Sequence, residues 1–127
     1  MERTYSILIV EDDRDMRSLL RDGLWGEGYQ LSEVCDGSEA LRMVVRCVPD
    51  LILTEVRVST GGVDYISRLR AIARSCPIVV MTAFSDEWFW EAVLRAGATS
   101  VVMKPVHLTE LRLCLRTFVS SAHQPIQ

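Results

Sequence analysis

Six residues of this 127-residue chain carry side chains suited to an oxygen-rich charged group, and each ends or follows an apolar run. Glu11, Asp12 and Asp13 follow "SILIV", Glu55 ends "LILTE", Thr82 ends "PIVVMT", and Lys104 follows "SVVM". Three or more carboxylates gathered in one place repel one another unless a cation sits among them, and hard oxygen ligands of this kind suit Mg2+. A lysine ammonium is a point charge for a carboxylate or a phosphoryl oxygen. A threonine hydroxyl donates to the same oxygen. Together they would handle a phosphoryl group by positioning and charge neutralisation. Each member alone has a plainer role: Asp12 or Asp13 as the cap of a helix starting at Arg14, Thr82 in a turn, Lys104 in solvent. The set has meaning only if the fold gathers the ends of these runs.

The elements that would gather them are legible as alternating short apolar runs and longer amphipathic ones. "SILIV" (6–10) reads as a buried strand. From Arg14 to Glu27, Met16, Leu19, Leu20, Leu24 and Trp25 recur at helical spacing, closed by Gly26 and Gly28. "YQLSEV" (29–34) reads as an edge strand. "DGSEALRMVVRCV" reads as a helix capped by Asp36 or Ser38, with Ala40, Leu41, Val44 and Val45 inward. "DLILT" is a strand, and a helix follows over 63–74 on Ile66, Leu69 and Ile72. "PIVVMT" (77–82) is a strand, with a helix over 86–95 ended by Gly97. "SVVM" (100–103) is the last strand, with a helix from Leu108 to Val119 on Leu111, Leu115 and Phe118. Five strands, each followed by a helix, predict a five-stranded parallel sheet, doubly wound with helices on both faces. In such a sheet polar residues at the strand C-termini converge in one crevice. The expected organisation is one (βα)5 domain over 1–119 and a flexible tail over 120–127.

Composition bounds the function class. Nearly half of the residues are hydrophobic and 24% are charged, which fits a globular fold. The net charge of −3 weighs against a nucleic-acid surface. No apolar run approaches the ~20 residues that cross a bilayer. "MERTYS" runs into a short apolar stretch stopped by "EDD", so no signal peptide is expected and the reading is cytoplasmic. Cys35, Cys47, Cys76 and Cys114 form no CxxC pair, which suits reduced thiols. Of fourteen basic residues thirteen are arginine, and the only lysine is Lys104.

In order and spacing, "ILIVEDD", "GYQLSEVCDGSEAL", "PDLILTEVR", "PIVVMTA", "LRAGA" and "KP" resemble the receiver domains of two-component response regulators, over about residues 5–119. The resemblance implies a flavodoxin-like fold and a signalling module rather than an enzyme, with a sensor histidine kinase or another signalling protein as partner. It implies Mg2+ held by Glu11, Asp12, Glu55 and the backbone carbonyl of Arg57. It places Thr82, Val101, Lys104 and Pro105 in the phosphoryl and switch pocket, with the Lys-Pro peptide cis. It makes Glu55 the phosphoacceptor position, where the family uses aspartate. Glutamate carries its carboxylate forward by roughly 1.5 Å, and about 1 Å of misplacement can cost ~100-fold in an in-line reaction.

Other departures accompany Glu55. The loop "VRVSTGG" has no proline and puts Gly61 where the family has an aspartate. Val101 replaces the switch aromatic that moves with the hydroxyl residue on phosphorylation. Metal binding is therefore expected to be weak, with Lys104 beside Glu55 when no metal is bound. Three functions follow from these residues. One is a phosphorylation-independent receiver that binds a protein partner. Another is a phosphate-accepting receiver that tolerates glutamate. The third is an unrelated flavodoxin-like ligand binder, which the acidic loop after the first strand disfavours because a flavin phosphate needs backbone amides there. Trp88, Phe89 and Trp90 are consecutive and span about 200° of a helix, so all three cannot point inward. With Val101 and Leu113 they are expected to form a partner or homodimer surface.

Overall fold

The computed structural model describes residues 3–57 and 62–122. Strands and helices alternate as β1 (Ser6–Val10), α1 (Arg14–Leu24), β2 (Gln30–Val34), α2 (Gly37–Arg46), β3 (Leu51–Glu55), α3 (Gly62–Ile72), β4 (Ile78–Thr82), α4 (Glu87–Ala96), β5 (Ser100–Met103) and α5 (Leu108–Ala122). All strand pairs are parallel, in the order β2-β1-β3-β4-β5. This is the flavodoxin-like doubly wound domain that the strand–helix alternation predicts.

The two-residue period of a strand sorts the core into two layers. Ile7 and Ile9 of β1 face one way with Leu51 and Leu53 of β3, and Leu20, Leu24, Leu111, Leu115 and Val119 of α1 and α5 cover them. Leu8, Val10, Ile52 and Val80 face the other way, under Ala40 and Val44 of α2, Ile66 and Leu69 of α3, and Phe89 and Val93 of α4. The inner strands β3 and β4 are buried throughout, whereas the edge strands β2 and β5 are only partly covered. Because β1 lies between β2 and β3, the chain reverses its winding direction beside β1. That reversal opens a crevice at the C-terminal ends of β1 and β3.

Capping residues set the helix starts. Asp13 accepts the Met16 N–H at 3.0 Å, Asp36 accepts the Glu39 N–H at 2.9 Å, and Asp86 accepts the Trp88 N–H at 2.9 Å. Between the two acids that sequence offers as the first cap, the fold uses Asp13 and leaves Asp12 to the crevice.

Several sequence expectations need correction at helix ends and faces. The first helix stops at Leu24, and Trp25 opens a 3-10 turn that leaves its ring 77% exposed. Val45 is turned outward because it lies about 100° around α2 from the buried Val44. The third helix stops at Ile72, which is itself exposed, and the last continues three residues past Val119 to Ala122. The remaining tail, 123–127, and the loop positions 58–61, including Gly61, lie outside the described residues.

At the opposite, N-terminal edge of the sheet, Arg70 ties α3 to the end of α4. Its guanidinium donates to the carbonyls of Ala73, Arg74, Cys76 and Gly97, at 2.7 to 3.1 Å. Gly97 has φ +127, and a Cβ there would lie 2.7 Å from the Cβ of Arg70, so the close approach requires glycine.

Candidate functional site: an acidic crevice at the strand ends

Parallel pairing puts the ends of β1, β3, β4 and β5 on one edge, and the polar residues singled out in the sequence meet there. Glu11 is wholly buried. Its Oε1 receives the Lys104 ammonium at 2.6 Å and its Oε2 accepts the Asp13 N–H at 3.2 Å. Burial without these partners would be costly, so both oxygens are committed to holding the charge. Glu55, nearly as buried, accepts the Asp12 N–H through Oε2 at 3.0 Å. Carboxylate oxygens of Glu11, Asp12 and Glu55 lie within 4.8 Å of one another.

Two cations neutralise these acids. Lys104 sits near Glu55, as expected, with its ammonium 3.9 Å from Glu55 Oε2, although Glu11 is the closer partner at 2.6 Å. Partial burial pulls its ammonium below the ordinary lysine value, while Glu55 and Asp12 act the other way. The second cation is Arg57. Its Nε meets Glu55 Oε1 at 2.6 Å and its Nη2 meets Asp12 Oδ1 at 2.9 Å. Sequence reasoning assigned this residue through its main chain, yet that carbonyl accepts the Gly62 N–H at 3.0 Å and the side chain is the part that reaches the acids. Which way a side chain turns after a strand depends on the loop backbone, and no spacing rule encodes it.

The hydroxyl side of the crevice is also in place. Thr82 is buried, and its Oγ1 accepts the Phe84 N–H at 3.0 Å. Its carbonyl accepts the Lys104 N–H at 2.8 Å, which ties the ends of β4 and β5 together just before the cis Lys104–Pro105 peptide. Next to Thr82, Glu55, Arg57 and Lys104 opens a mainly apolar cavity of about 480 Å3 walled by Val56, Met81, Phe84, Trp88 and Phe89. Val101 is half-buried and packs against the α2–α4 layer; it does not wall this cavity, contrary to its expected place in the switch pocket.

The aromatic trio divides as helical geometry requires. Phe89 is buried and meets Phe84 edge-on with ring centroids 5.3 Å apart, which removes it from the expected partner surface. Trp90 is half-buried and donates its indole N–H to the Phe84 carbonyl at 2.7 Å. Trp88 is 72% exposed, and Leu113 of α5 is exposed as well.

Two residues of the site were missed in the sequence. Arg17 donates to the Glu11 carbonyl at 2.8 Å and leans on Glu33 of β2 at 3.7 Å, which anchors the first acidic loop. Its position one turn into α1, above the acids, was a usable signal. Phe84 carried none, since an aromatic in a loop has no periodicity to place it.

Comparison with known proteins agrees with this geometry. The family model described as response regulator receiver domain matches residues 7–116. The chain is 36% identical over 106 residues to the transcriptional regulatory protein PrrA of Mycobacterium leprae, covering 83% of this chain but 46% of PrrA, so it spans about half the length of that relative. It is 28% identical over 114 residues to sporulation initiation phosphotransferase F of Bacillus subtilis, covering 89% of this chain and 92% of that protein. A two-component response regulator from Clostridium difficile superimposes with a TM-score of 0.88 at 25% identity, over 96% of this chain and all of the other. With strand order, acidic crevice, hydroxyl and Lys-Pro all in register, the chain belongs to the response regulator receiver domain family.

Proposed function

We propose that this chain is an atypical receiver of two-component signalling that works by protein contact, without phosphotransfer at Glu55. The observation that carries this reading is the state of the Glu55 carboxylate. Its Oε1 is ion-paired with Arg57 at 2.6 Å and its Oε2 is hydrogen-bonded to the Asp12 N–H at 3.0 Å. An attacking carboxylate needs a lone pair aligned with the departing group, and here the carboxylate is both held and one methylene too long for the aspartate geometry. A negative charge fixed this close to Lys104 resembles the charge that a phosphorylated aspartate would present, so the module would rest in one conformation. Val101, in place of the switch aromatic, supports a fixed rather than a switching face.

The donor set of Glu11, Asp12 and Glu55 suits a hard divalent ion, which would neutralise charge on a transferring phosphoryl group. Arg57 occupies oxygens of the same set, so weak Mg2+ binding is the expectation. The chain is proposed to work in the cytoplasm, with a sensor histidine kinase, or another signalling protein, as its partner. Among the described residues no helix is long and apolar enough to cross a membrane. The proposed contact face comprises α4, β5 and α5, with Trp88 and Leu113 exposed and Trp90 and Val101 beneath. A two-fold homodimer would bury it isologously.

The second reading, a receiver that accepts phosphate on glutamate, draws support from the retained Thr82 and Lys104. Incubation with acetyl phosphate and Mg2+ followed by intact mass separates the two readings: the first expects unmodified protein, the second a base-labile phosphoryl adduct on Glu55.

A further inference from the structure

We propose that the Arg57 guanidinium is a built-in cation of the acidic crevice, bridging Asp12 and Glu55 where a divalent metal would otherwise sit, so that a metal enters only by expelling it. The inference rests on the receiver reading of this crevice and specifies how its metal affinity is set. Its basis is the pair of short contacts, Nε to Glu55 Oε1 at 2.6 Å and Nη2 to Asp12 Oδ1 at 2.9 Å. A guanidinium offers planar, forked donors that engage two carboxylates at once, which lysine cannot do from a single point charge.

Charge balance leads to the same conclusion. Glu11, Asp12 and Glu55 supply three negative charges, and Lys104 and Arg57 supply two positive ones. Adding a divalent ion to these five groups would leave an excess of positive charge beside two buried carboxylates, Glu11 and Glu55. Without the guanidinium the same ion would bring the site to neutrality. Arg57 and the metal are therefore alternatives, competing for the same oxygens of Asp12 and Glu55. The arginine side chain is 48% exposed, so it has an open path to swing into solvent when displaced. Its main chain is held by the Gly62 N–H, so the swing needs only side-chain rotation. The length of glutamate belongs to the same device, because Glu55 spans from the Asp12 N–H to the guanidinium with one oxygen on each.

The test uses Mn2+ as the probe, followed by electron paramagnetic resonance of the free ion, on wild type, Arg57→Met and Arg57→Lys. If the guanidinium holds the crevice about nine-tenths of the time, it weakens apparent affinity about tenfold. Arg57→Met should then bind Mn2+ about tenfold more tightly than wild type, and Arg57→Lys should fall between them. In wild type, adding Mg2+ should shift the Arg57 Nε–H resonance toward its solvent-exposed value. Equal Mn2+ affinity in wild type and Arg57→Met, with both folded by circular dichroism, would overturn the proposal. So would tighter binding in Arg57→Met that survives Asp12→Asn, because the ion would then lie elsewhere. Absence of Mn2+ binding in every variant overturns it together with the metal-site reading. A phosphoryl adduct on Glu55, by contrast, defeats the proposed function while leaving the competition measurable.

Discussion

Arg57 and Arg70 stand at opposite edges of the sheet, and their partners differ in kind. Among the described residues Arg70 donates to main-chain carbonyls alone, those of Ala73, Arg74, Cys76 and Gly97, and so satisfies groups that the ends of α3 and α4 leave without helical partners. Arg57 donates to two carboxylates that would otherwise repel each other. The first arginine completes the backbone at the ends of two helices. The second completes a charge balance, and any other cation can take over its task. An arginine in a structure is thus structural or replaceable according to what it binds, not how short its bonds are.

The largest expected effect is on Arg70. Arg70→Ala strips several carbonyls of their donor at once, and leaving buried polar groups unmade costs about 1–3 kcal/mol each. With partial access to water, a total loss of about 3 kcal/mol is expected in urea unfolding, unchanged by Mg2+. A smaller and conditional effect is expected at the other edge. Arg57→Met should cost about 1 kcal/mol in chelator, since a half-exposed pair is worth little, and saturating Mg2+ should restore it. Equal, Mg2+-independent losses in the two variants would erase the distinction between the two arginines.

A further difference concerns pH. Near the Arg70 edge, burial pushes the Cys76 thiol up to about 12, and at the crevice side of α3 burial pushes the Tyr65 phenol up to about 12. Both groups bind their protons more tightly folded than unfolded, where the values are 9.0 and 10.0. The stability this confers is complete below those unfolded values and is lost as pH climbs toward 12. The urea midpoint should therefore fall through the alkaline range, and Cys76→Ala should flatten part of that fall. The smallest effect is expected at the surface: Trp88→Ala should leave stability nearly unchanged but lower the apparent mass in light scattering at high concentration. A strictly monomeric wild type would remove the dimer from the account.

The sequence made β1, β3, β4 and β5 legible because each is an apolar run stopped by a polar residue, and the stopping residues were the site itself, whereas β2 alternates and ends at Val34 with nothing to offer the site. Glu11, Asp12, Glu55, Thr82 and Lys104 meet for that reason alone. Orientation within helices was less legible. Val45 and Trp25 look like core residues until the helix phase and the 3-10 turn turn them outward. Phe89 turned inward because α4 begins after the Asp86 cap, which fixes the phase of the three aromatics. The role of the Arg57 side chain was not legible, because it depends on backbone geometry just past β3. Arg70 gave no signal either, since one arginine in an amphipathic helix looks like its neighbours until four carbonyls converge on it.

The central claim is that the crevice is closed to phosphotransfer by Glu55 and Arg57 together. The direct measurement is intact mass after treatment with acetyl phosphate and Mg2+, for wild type and for a Glu55→Asp, Arg57→Met double variant. Transfer would join the phosphoryl group to a carboxylate oxygen at position 55 and release acetate. The account predicts unmodified wild type and a base-labile adduct on the double variant, whereas a stoichiometric adduct on wild-type Glu55 would contradict it.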